Sequence, residues 1–145
     1  MATADEQEHP YPAGTVGAAL NGYWVDMVGV RKWYAAMGAL AEHFNRDSTY
    51  HLSLQMPFDS SLREHVQRIE QDSVVRSALG VAGLKAEDFA LLGCVYGIDR
   101  ATRQLMDSLG SAGRPTNVGK ELRDFFDANR REIDSLDRSL AAIGR

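Results

Sequence analysis

Apolar residues near the C-terminal end of the chain recur with a helical period. Val118, Leu122, Phe125, Ile133, Leu136, Leu140 and Ile143, with Asn129 between them, follow one another at steps of 3 or 4. The seven steps from 118 to 143 cover 25 residues, close to the ~3.6 residues per turn of an α-helix. A helix with one apolar stripe has to bury that stripe against other helices. The pattern therefore predicts a straight closing helix from Val118 to Ile143 and a helical bundle around it.

The same reading gives the other elements. A first long helix runs from about Thr15, a suitable N-cap, to Phe44. Its later half carries an apolar stripe at Val30, Trp33, Met37, Leu40, Ala41 and Phe44. Its earlier half is rich in small residues, including Gly17, Gly22 and Gly29. Interior glycine costs a helix about 1 kcal/mol relative to alanine. That half is kinked, broken near Asn21-Gly22, or packed tightly against a neighbour. Between residues 45 and 59, Tyr50, Leu52, Leu54 and Met56 alternate with His51, Ser53 and Gln55, the template of a strand. No second strand of similar quality accompanies it, so it reads as an extended crossover that Pro57 ends.

A second helix starts near Ser61, which forms a capping box with Glu64 and leads into Leu62, Val66 and Ile69. A short third helix, about Asp72 to Val81, closes at Gly83 with apolar Leu84 behind it. The fourth helix spans about Ala86 to Leu109. Gly110 to Pro115 is a loop by composition, and Thr116 or Asn117 caps the closing helix. The predicted fold is all-α: an up-and-down bundle of four main helices with a short accessory helix and an extended crossover segment. Residues 1–14 read as a flexible arm, with Pro10, Pro12 and Gly14, and residues 15–145 as one domain.

Charge narrows the partners. The net charge is -4, which offers no bulk attraction to phosphate backbones. Arg130, Arg131 and Arg138 are surrounded by Asp127, Glu132, Asp134 and Asp137, a mixed and solvated helix face. No nucleic-acid partner is expected, and no stretch reaches the ~18 consecutive apolar residues of a membrane span. No signal peptide is legible at the start of the chain. A homo-oligomer stays open.

Candidate chemistry is sparse. Four histidines are present, and the one Glu-x-x-His, Glu6 to His9, falls in the arm. His43, His51 and His65 are the candidates for a metal site, against the simpler reading that His43 and His65 sit on polar faces and His51 in a loop. Haem ligation stays open because axial ligands come from distant positions, with His43, His65 and the methionines as candidates. No cofactor is predicted outright. Cys94, the single cysteine, has apolar neighbours, which raise a thiol pKa and make it inert. Asp99 with Arg103 reads as an exposed helical pair. Asn129, placed in an apolar stripe, reads as a residue that sets helix register or reaches a backbone group. Five aromatics between positions 23 and 44 cannot share one narrow stripe. Trp33 and Phe44 are assigned to the core, and Tyr23, Trp24 and Tyr34 to surface contact.

Two segments carry a resemblance. Val74-Val75-Arg76-Ser77-Ala78-Leu79 through Ala82-Gly83-Leu84 to Asp88-Phe89, and Asn117-Val118 through Asn129-Arg130-Arg131-Glu132-Ile133, resemble stretches of uncharacterised small exported bacterial helical-bundle proteins. The resemblance implies a place in the cell envelope, with any leader removed. It brings no activity with it.

The expected function is a non-enzymatic binding or interaction module of the bacterial envelope. Its surface would comprise Tyr23, Trp24, Tyr34, Tyr50, Leu52 and Leu54. The alternative is a bundle that binds a small apolar ligand or cofactor, haem-like or metal, in a core pocket near Trp33, Met37, Cys94, Tyr96 and Asn129.

Overall fold

A computed structural model describes residues 12–47, 49, 50, 56–109 and 120–143. Among the described residues the protein is all helical. The helices are α1 (Val16–Asn21), α2 (Met27–Arg46), α3 (Leu62–Gln71), α4 (Ser73–Ala82), α5 (Ala86–Leu109), α6 (Lys120–Ala128) and α7 (Arg130–Ile143). The described residues contain no strand, only one isolated antiparallel bridge between Thr15 and Ser61. Most of the expected arm, the alternating stretch from His51 to Gln55, and the Gly110–Asn117 loop and cap lie outside the described residues.

The first long helix is broken, one of the three forms open to it. Thr15 caps α1 by accepting the Ala18 N–H at 3.3 Å. The chain leaves helix at Gly22, and Asp26 opens α2 by accepting the Gly29 N–H at 2.8 Å. Glycine weakens the helix at that point, and the Asp26 carboxylate satisfies a donor that a new helix start would otherwise leave bare.

The caps of the middle helices follow the sequence closely. Ser61 accepts the Glu64 N–H, which starts α3. Asp72 ends α3 and starts α4, accepting the amides of Val74 and Val75 at 2.9 and 3.2 Å. Gly83 adopts φ 72°, a left-handed conformation that a side chain would resist. The Leu84 N–H then reaches back to the Leu79 carbonyl at 3.0 Å, the ending expected of a Schellman turn.

The closing helix is not straight. It divides at Asn129 into α6 and α7. The Asn129 side-chain amide donates to the Phe125 carbonyl at 2.8 Å, while the Asn129 backbone N–H donates to the same oxygen at 3.1 Å. A short polar side chain that bonds one turn back competes with the regular ladder and interrupts it. Phe126, outside the apolar stripe, is buried, whereas Phe125 is only half-buried.

Helix α2 lies centrally, packed on α4, α5 and α7. Val30, Trp33 and Leu40 are buried as the stripe requires, but so are Tyr34 and Ala36. Neighbours on more than one side widen the buried face beyond a single stripe. Phe44, assigned to the core by spacing, is instead 51% exposed in the last turn. Gly38 faces α7: a Cβ there would just touch the end of Ile143, at 3.4 Å. The α4 helix, expected as an accessory, contributes Val75, Ala78 and Leu79 to the core, beside Phe89 of α5 and the fully buried Ile133 of α7.

Candidate functional site

Trp33, Tyr34 and Tyr96 form a cluster at the α2–α5–α7 junction. The Trp33 ring lies 5.0 Å from Tyr34 and 5.1 Å from Tyr96, and the two tyrosine rings are 5.9 Å apart. Both phenols end on α7. The hydroxyls of Tyr34 and Tyr96 donate to the same oxygen of Asp137, at 2.5 and 2.9 Å. Burial and the Asp137 carboxylate push the Tyr34 phenol well above its usual range. Asp137 was expected on a solvated face; it is half-buried and anchors two helices to a third. The Trp33 indole N–H is buried without a hydrogen-bond partner.

Packing leaves little space around this cluster. A void of about 10 Å³ remains, lined by Val30, Trp33, Leu92, Tyr96, Phe126 and Ile133 among others. That is room for about one water. Of the residues proposed for a core pocket, Trp33 and Tyr96 meet at this void; Met37, Cys94 and Asn129 do not line it. Burial pushes the Cys94 thiol up to about 11, so it stays protonated at neutral pH.

The surface candidates divide. Trp24 is 81% exposed. Tyr23 is half-buried and donates to Asp88 at 2.9 Å. Tyr34 is a correction: it is 6% exposed and belongs to the core, because α7 covers its side of α2. Tyr50 donates to Asp72 at 3.1 Å and packs edge-on against His43. Leu52 and Leu54 lie outside the described residues, as does His51. The four described tyrosines therefore share one device, a phenol donating to an aspartate on another element. The spacing of the partners, from 22 to 103 residues, leaves no local sign of it in the sequence.

An open groove lies between α1 and α3, with a volume of about 700 Å³. Ala18 and Ala19 form one wall, and Leu62 and Val66 the other. Arg63, Glu70 and Glu87 stand at the rim. The groove exists because residues 57–62 strap α1 onto α3. The Val16 and Gly17 amides donate to the carbonyls of Ser60 and Phe58 at 2.9 and 2.8 Å, and the Leu62 amide to that of Gly14 at 3.0 Å.

His65 sits at this strap and not on a polar face, a second correction. It is 7% exposed, and its Nε2 lies 2.8 Å from the Ser60 hydroxyl. Burial, then the charge of Arg68, lowers its pKa, with Glu64 opposing. A lowered folded-state pKa gives stability that is complete above the unfolded value of ~6.5 and is lost as pH falls from there through the lower folded-state value. The melting temperature is expected to drop between pH 7.5 and 5, and His65→Gln to flatten that drop; an equal drop in the variant would assign it to other groups. Among the described residues, no three His, Cys, Asp or Glu side chains group so as to hold a metal ion. None of the helices, over the described residues, is long and apolar enough to cross a membrane.

No protein-family model, curated protein or solved structure matches the chain.

Proposed function

We propose that this chain is a non-enzymatic helical interaction module. The observation that carries the reading is the open α1–α3 groove, lined by apolar Ala18, Ala19, Leu62 and Val66 and by charged Arg63, Glu70 and Glu87; elsewhere on the surface, Trp24 is 81% exposed. Exposed apolar surface with a polar rim marks contact sites, and tryptophan is enriched among residues that dominate binding energy. The alternative, a small apolar ligand or cofactor in the core, requires a cavity of roughly 300–1,000 Å³, and the core void is about 10 Å³.

The proposal includes the arrangement of the helices. The four main elements of an up-and-down bundle are α2, α3, α5 and the α6–α7 pair, with α4 as the short accessory helix. The resemblance of residues 74–89 and 117–133 to exported bacterial proteins supports a place in the cell envelope.

Trp24→Ala tests the reading. Its side chain touches water over most of its surface, so melting should change by no more than about 0.5 kcal/mol. Partners cross-linked to the wild type in envelope preparations, and identified by mass, should be recovered at least about tenfold less with the variant. Recovery of the same partners at undiminished yield would overturn the proposal.

A further inference from the structure

The groove also indicates what kind of partner it fits, and the inference rests on the interaction reading above. We propose that the α1–α3 groove takes a basic, amphipathic segment of a partner protein. Its walls offer apolar contact from short side chains, Ala18 and Ala19, opposite Leu62 and Val66. Short walls let a partner's own side chains reach the floor.

The charges around the groove are unequal. Glu70 and Glu87 line it, and among the described residues neither carboxylate forms an ion pair, although the Arg76 guanidinium reaches the Glu70 backbone carbonyl at 3.5 Å. Asp26 and Asp88 add their charges at the Glu87 end, since both bear on the Tyr23 hydroxyl there. Arg63 is the one cation among the lining residues. A basic segment meets carboxylates at the rim, and an acidic segment or an anionic headgroup meets repulsion. A second copy of this chain, at net charge -4, lacks the complementary sign.

The test uses two synthetic peptides with one Leu/Ala pattern, carrying Lys at the polar positions in one and Glu in the other. Titration into the full chain is followed by amide chemical shifts. The Lys peptide should move the amides of Ala18, Ala19, Val66 and Gln67, and should weaken as salt rises. The Glu70→Gln/Glu87→Gln double variant should weaken it by about 3- to 10-fold at low salt, with a melting curve like that of the wild type. Equal binding of the Glu peptide, shifts confined to another face, or no binding of either peptide would each overturn the inference. The broader interaction reading fails separately, through undiminished partner recovery by Trp24→Ala.

Discussion

Asp137→Ala is expected to cost about 3–4 kcal/mol and to lower the melting temperature by roughly 10 °C. The carboxylate accepts two phenols, from Tyr34 on α2 and Tyr96 on α5. A hydrogen bond to a charged group contributes about 1.5–3 kcal/mol net. Removing the acceptor also leaves the buried Tyr34 hydroxyl with only the Tyr96 hydroxyl to bond. Asp137→Asn keeps a carbonyl oxygen at the same place and should recover a large part of the loss. The two phenols share one oxygen, so Tyr34→Phe and Tyr96→Phe should not add. Urea denaturation of the two single variants and the double variant measures the coupling. A loss under about 1 kcal/mol for Asp137→Ala would mean that the α2–α5–α7 junction does not depend on this carboxylate.

A second large effect is expected in alkali. Burial, followed by hydrogen bonding to Asp88 and Asp137 respectively, raises the phenol pKa of Tyr23 and Tyr34 above the usual range. Burial and the Asp72 charge push Tyr50 up to about 12. The ordinary value, which the unfolded chain keeps, is ~10. Below that pH both states hold the phenol protons and the stabilisation is complete. Above it the unfolded chain releases them while the folded chain retains them. Stability then falls by about 1.4 kcal/mol per pH unit for each tyrosine, until its folded-state pKa is reached. Urea midpoints from pH 8 to 11.5, read beside phenolate absorbance, should show ionisation and unfolding together. Tyr34→Phe should make the fall less steep by one tyrosine's share. Phenolate appearing near pH 10 in a chain that stays folded would show that these hydroxyls reach water freely.

At the exposed α2–α7 contact, Arg31 holds Glu132 through two bonds, at 2.6 and 2.9 Å. The guanidinium keeps the Glu132 carboxyl below its usual range. Like Asp137, Glu132 was assigned to a solvated face because charged neighbours surround it in sequence. Local composition shows that a helix face is polar, but not that another helix crosses it. Both aspartate-bound phenols of the core and this ion pair join residues roughly 40 to 100 positions apart. No short-range pattern encodes such a pairing.

Where local rules decide, the sequence was legible. The starts at Thr15 and Ser61, the left-handed Gly83 and the span of α5 all follow from caps and apolar spacing within a few residues. The same rules stopped at two breaks. Glycine content allowed a break near Gly22 without requiring it, and the Asp26 cap completes it. Apolar periodicity carried straight through Asn129, because a period measures faces and not continuity. The Asn129 side chain bonds back to Phe125 where the helix divides, and Phe126, one helical repeat before Ile133 on the same face, is the phenylalanine that is buried.

By itself, then, the sequence determined that the chain is all-α and where most of its helices cap. It also made Cys94 a poor nucleophile. These follow from backbone hydrogen bonding and side-chain transfer energies, which act over a turn or two of helix. Only the tertiary structure decided that Tyr34 is buried and Phe44 exposed, that Asp137 receives two phenols, and that α1 and α3 leave a groove between them. Those depend on which neighbour covers each helix face and how completely space is filled, and both are properties of the assembled helices.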